Sequence, residues 1–135
     1  MSGDAQTQIH DAVFKALAAA LKPVPVWDHV PQGEPNDRPF PYLVVGENET
    51  SEWDTDTELG QEHRLTIHVF SRQRGKQETR DLLKKIYDTL HNQPLNVGIG
   101  AQLVFIYYEF SSVSPDPDGM TYHGVARYRS ITTEA

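Results

Sequence analysis

Cysteine is absent from this 135-residue chain. That excludes thiol catalysis and a disulfide framework, and it fits a reducing cytoplasm. Long apolar runs are missing too: no stretch approaches the roughly 20 residues of a membrane span. The opening Met1-Ser2-Gly3-Asp4 lacks the basic and apolar regions of a signal peptide. Basic residues are scarce, with 12 Lys and Arg against 19 Asp and Glu and a formal charge of -7. A chain that grips nucleic acid needs a basic footprint on phosphates, which this balance disfavours. An acidic surface repels DNA and suits a protein that DNA must pass without sticking. Recognisable catalytic signatures are also lacking. There is no Gly-x-Ser-x-Gly elbow, and Gly98-Ile99-Gly100 is too short and wrongly placed to cradle a phosphate.

What is present describes a polar-surfaced domain. A length of 135 residues corresponds to one domain, 1–135, able to bury roughly two thirds of its unfolded surface without a metal or disulfide staple. The stretch Glu62 to Leu90 organises it. His63-Arg64-Leu65-Thr66-Ile67-His68-Val69-Phe70 alternates, with Leu65, Ile67 and Val69 on one face, which predicts a half-buried strand. After Ser71-Arg72-Gln73-Arg74-Gly75 the period changes, and Leu82, Leu83, Ile86, Tyr87 and Leu90 fall on one face of a helix.

Upstream, Ile9, Val13, Ala16, Leu17, Ala20 and Leu21 predict a first helix, capped by Asp4 and stopped at Lys22-Pro23, with Ala18-Ala19-Ala20 giving close approach to a neighbour. Val24 to Val30 is a short extended piece at a sheet edge or outside the sheet, because its prolines remove ladder donors. Pro31, Pro35, Pro39 and Pro41 make a stiff connector into a buried strand, Tyr42 to Glu47. Residues 47 to 58 gather six acids around Trp53 and read as a solvated strand pair or loop. Asn92 ends the second helix. Gln102 to Ser112 is apolar on both faces, Leu103, Phe105 and Tyr107 against Val104, Ile106, Tyr108 and Phe110, and so predicts a central or interface strand. Asp116-Pro117-Asp118-Gly119 is a turn, and Thr121 to Thr132 closes the sheet. The expected fold is α+β, a single mixed and mostly antiparallel sheet packed by two helices in the order α-β-β-β-α-β-β.

Chemistry has few candidates among these residues. Of six histidines, His63 and His68 are an odd number of positions apart and face opposite sides of a strand. His68 and His123 become neighbours if their strands pair, which supplies two metal ligands at most. No metal or cofactor is expected. Glu109 on the aromatic strand is the one carboxylate in an apolar setting, so a pocket joining Glu109, His68 and His123 would signal a hydrolase. Arg64, Arg127 and Arg129 would form a nucleic-acid or ligand surface if contiguous and free, although the net charge favours pairing with carboxylates of a neighbouring chain. Trp27, Trp53, Asp54, Asp56, Tyr108, Phe110, Arg127 and Arg129 are the physical candidates for a protein interface.

Several segments, taken in order, resemble the phage tail completion family of small neck proteins from siphophage-like particles, prophages and gene transfer agents. They are Val30-Pro31-Gln32-Gly33, Pro41 to Glu47, Glu52-Trp53-Asp54-Thr55, Glu62 to Arg72, Leu90-His91-Asn92-Gln93-Pro94-Leu95, Asp116 to Gly119 and His123 to Arg129. The resemblance implies a tail-terminator-like fold and a structural virion protein, not an enzyme. It further implies a hexameric ring on the head-proximal end of the tail tube. That ring stops polymerisation and joins the head connector, and DNA passes through it. A head-side adaptor or head-closure protein of the same neck is the alternative. Partners implied are further copies of the chain, the tail tube protein and the connector or adaptor, with assembly in the host cytoplasm and no membrane. No catalytic residues follow from the resemblance.

Overall fold

The computed structural model describes residues 4–28 and 40–135, with the Asp4 side chain outside the described atoms. The elements are α1 (Asp4–Ala20), β1 (Val26–Trp27), β2 (Tyr42–Glu52), β3 (Gly60–Ser71), α2 (Gln77–Leu90), β4 (Ala101–Pro115) and β5 (Tyr122–Glu134). Their order is the expected one. The Asp4 cap, His29-Val30 and the connector prolines Pro31, Pro35 and Pro39 lie outside the described residues.

The strands form one sheet in the order β1-β2-β3-β5-β4. β1 runs parallel to β2, and every other pairing is antiparallel. Both helices cover one face. In α1, Ala5, Ile9, Val13, Leu17 and Leu21 recur every fourth position and are buried, while Leu82, Ile86 and Leu90 do the same in α2. They meet Leu43, Val45, Leu65, Ile67, Val69, Ala126, Tyr128 and Ile106, all on the helix-facing side of the sheet. Each fully buried Ile or Leu contributes on the order of 1.5–3 kcal/mol. Where α2 crosses β5 the backbones approach closely: a Cβ on Gly124 would sit 2.7 Å from Thr79 Cγ2. α2 ends at Leu90, and Asn92 takes the expected left-handed conformation with φ of 54°.

Four expectations are corrected. β4 is an edge strand, not a central one, because β5 inserts between β3 and β4. Its alternation is broken by bulges between Leu103 and Phe105 and between Tyr108 and Phe110. Hence Leu103, Ile106 and Tyr108 pair with helix-side residues of β5, while Phe105, Tyr107 and Phe110 point to the opposite face. Ala19 and Ala20 are exposed, and the alanines that α1 buries are Ala5 and Ala12 instead. Tyr87 is not a core residue: it stands at the rim, stacked on His91 with ring centroids 4.5 Å apart.

The acidic stretch is a solvated strand pair closed by a short loop, as one of its two readings had it. β2 continues through Glu52 and returns at Gly60 as a hairpin. At its tip Gly60 N donates to Asp54 Oδ1 at 3.0 Å and Glu58 N to Thr55 Oγ1 at 3.0 Å. Gly60 is required there, since a Cβ would lie 2.6 Å from the Trp53 carbonyl oxygen. Among the described residues no helix is long and apolar enough to cross a membrane.

Candidate functional site

The second face of the sheet carries no helix among the described residues, and the strand register decides what it presents. Outward positions are Tyr42, Val44 and Glu49 of β2, Glu62, Arg64, Thr66, His68 and Phe70 of β3, and His123, Val125, Arg127, Arg129 and Ile131 of β5. Phe105, Tyr107 and Phe110 of β4 complete the row. This is an ordered lattice of charges between aromatic rings.

Glu62 is its keystone. One carboxylate oxygen accepts from Arg129 Nε at 2.7 Å and the other from Arg64 Nη1 at 2.6 Å. The Arg129 hydrogen bond, reinforced by Arg64, holds the Glu62 carboxyl below its ordinary 4.5 against the opposing effect of burial. Arg64 also reaches Glu109 at 3.6 Å, and Arg127 reaches Glu49 at 3.6 Å. The Arg127 and Arg129 guanidiniums lie over Phe110 and Phe105, 5.9 and 5.3 Å from the ring centroids. Arg64, Arg127 and Arg129 are thus contiguous but each is neutralised within its own chain, which removes the free basic surface that nucleic acid would need.

Replacing Glu62 with Gln should cost about 1 kcal/mol at neutral pH. The figure is modest because the side chains of Arg64 and Arg129 stay 37% and 33% exposed and are screened. The depressed Glu62 carboxyl stabilises the fold above pH 4.5 and loses that contribution as pH falls through its folded value. Urea melts of parent and variant should therefore converge below pH 4.5 and separate above it.

A second polar chain crosses the same face. His68 Nδ1 and His123 Nε2 are 2.8 Å apart, as their strand pairing predicts. Glu47 Oε2 sits 3.3 Å from His68 Nε2 and Asp116 Oδ1 4.0 Å from His123 Nδ1. Burial, and then the neighbouring His68, push the His123 imidazole below its ordinary 6.5. Glu109 does not join them, because its carboxylate turns to Arg64. The triad that would signal a hydrolase is not assembled. Among the described residues no group of three or more His, Asp or Glu is placed to hold a metal ion. His63 faces the other way, fully buried between Thr50 Oγ1 at 2.9 Å and Thr132 Oγ1 at 2.8 Å.

The candidate interface residues separate into distinct places. Trp27 is half-buried in edge strand β1. Trp53, Asp54 and Asp56 are exposed at the β2–β3 hairpin tip. Tyr108 stands at the β4 edge with its ring edge-on to Tyr87 and Tyr128, whereas Phe110 faces outward. Glu62, the two edge caps from the end of α2, and the cations of α2 escaped sequence reasoning. The caps are His91 Nδ1 accepting from Tyr108 N at 3.1 Å, and Asn92 N donating to Ile106 O at 2.7 Å. The available signal for Glu62 was its parity with Arg64 on one strand.

Comparison with known proteins matches this arrangement to a family. The family model described as tail completion protein gp17 matches residues 9–133. The tail completion protein gp17 of Bacillus phage SPP1 is 26% identical over 102 residues, covering 76% of this chain and 75% of that protein. Among solved structures, a chain of the virion of a native gene transfer agent particle superposes with a TM-score of 0.75 at 18% identity, covering 94% of this chain and 95% of that one. The structure of bacteriophage SPP1 gp17 gives a TM-score of 0.50 at 24% identity, with 93% of each chain covered. Both share the fold of two helices on a mostly antiparallel sheet. With a family model matched across nearly its whole length, the chain belongs to the tail completion protein gp17 family, whose members are structural and not enzymatic.

Proposed function

We propose that the chain acts as one domain that caps the head-proximal end of a phage-type tail tube. In this reading copies close into a hexameric ring, stop tube polymerisation and present a surface to the head-side connector. Its partners are further copies of itself, the tail tube protein and the connector, and its place is the neck of the virion after assembly in the host cytoplasm. The observation that carries the reading is the family match over residues 9–133. A sheet face that carries no helix among the described residues and the edge strand β4 with its exposed aromatic side chains add support. The charge of -7 fits a ring through which DNA slides without adhering.

The test is assembly in particles made without this chain. Heads should accumulate unjoined, beside tails of uneven and excess length, and supplying the purified protein should restore joined particles. Tails of normal length that fail to join would move the chain to the head side as an adaptor. Normal joined particles would contradict both placements.

A further inference from the structure

The surface lattice accounts for the outward arginines of the sheet, but it does not include the cations along α2. Lys76, Arg80 and Lys84 follow one another at every fourth position along α2 and are exposed. Lys84 pairs with Asp88 at 3.0 Å. Among the described residues no carboxylate pairs with Lys76 or Arg80. These side chains wall a groove of about 490 Å³ between α2 and β4, whose apolar lining includes Leu83, Tyr87 and Val113. In a chain with seven excess negative charges, this is a cationic groove with an apolar floor.

The adjoining edge is unoccupied as well. Upstream, β4 is closed off by His91 and Asn92 at Tyr108 and Ile106. From Phe110 to Ser114 only β5 pairs with it among the described residues, and the stretch carries no charge. Natural edges are normally guarded by charges or covered, so an open uncharged one marks a contact surface.

The same chain carries the complementary shape. The β2–β3 hairpin tip presents Glu52, Asp54, Asp56 and Glu58 around Trp53, which is 38% exposed. Among the described residues no cation pairs with these four carboxylates. The tip is held rigid by its own hydrogen bonds, so little ordering entropy is lost on docking. Hairpin and groove cannot meet within one copy. The tip lies where Gly60 pairs with Thr133 and Ala101 with Glu134, at the opposite end of the strands from Val113, which pairs with Gly124.

We propose that the hairpin tip of one copy seats in the α2–β4 groove of the next, with Trp53 on the apolar floor and its acids against Lys76 and Arg80. Two different patches on each copy make the contact heterologous, the type that closes into rings. This inference rests on the ring reading above and names the surfaces that would build it.

Because the chain has no cysteine, an Asp56→Cys/Arg80→Cys variant gives a clean cross-linking test. On oxidation it should form a covalent ladder ending in a closed species on a denaturing gel, whereas Asp56→Cys with Asp11→Cys on the exposed side of α1 should give no ladder. Equal melting temperatures establish that both variants fold. Arg80→Glu should raise the concentration needed for assembly about tenfold, and adding Asp56→Lys should restore most of it. The mass of the unmodified protein separates the two levels of failure. Rings without a ladder overturn this contact and leave the ring, while monomers at every concentration, with no ring or ladder on isolated tails either, overturn both. Arg80→Glu rings that form normally but fail to attach to tails would also overturn it, giving the groove to another virion protein.

Discussion

Acidifying the protein from pH 7 to pH 4 should remove about 3 kcal/mol of stability through His63 alone. Burial pushes this imidazole from 6.5 down to about 4, against the smaller opposing pull of the Glu62 carboxylate. Its neutral ring sits between the Thr50 and Thr132 hydroxyls, able to donate to one and accept from the other, and the cost of burying charge disfavours the imidazolium. The sign follows from proton counting. Between pH 6.5 and 4 the unfolded chain binds a proton that the folded chain refuses, so stability falls as pH falls through that window. His123, depressed in the same direction, adds to the slope. Denaturant melts at pH 7.0, 5.5 and 4.5 should show the decline, and His63→Gln should flatten it while lowering stability at neutral pH. A parent protein equally stable at pH 7 and 4.5 would refute the buried neutral imidazole.

Gly124→Ala should cost about 2 kcal/mol, despite being a change that strands ordinarily welcome. The added Cβ would meet Thr79 Cγ2 at 2.7 Å and both Leu83 Cδ1 and Val69 Cβ at 3.4 Å. Thr79 is β-branched and fully buried, so its methyl has nowhere to turn. Thr79→Ser removes that methyl and should recover about 1 kcal/mol in the Gly124→Ala background, visible as coupling in a double-mutant cycle. Additive effects would place the strain elsewhere.

The parts of the fold that were legible in the sequence are those where one period runs unbroken. Leu82, Ile86 and Leu90 repeat every fourth residue, and Leu65, Ile67 and Val69 every second, so α2 and β3 were readable directly. β4 defeated the same reasoning because bulges at its fourth and ninth residues reset the alternation, and nothing local in Val104 or Glu109 announces a bulge. The acidic end of β2 has little strand propensity of its own. It is extended because β3 holds it across the ladder, with Thr50 bonded to His63, and because Glu49 reaches past β3 to Arg127 on β5. The candidate surfaces were legible by residue and not by partner. Trp53, Phe110 and the arginines were all named from composition and pattern. That Arg127 and Arg129 are already bound to Glu49 and Glu62 depends on strand order. The α2–β4 groove joins residues some 30 positions apart, beyond the reach of periodicity.

The proposed ring of this chain stands at the junction of tail and head. Imaging purified particles in which this chain carries a bound label tests it most directly. Label should appear in a closed ring of about six copies at the head-proximal end of the tube and nowhere else. Label along the tube, at the distal tip or on the capsid shell would contradict it.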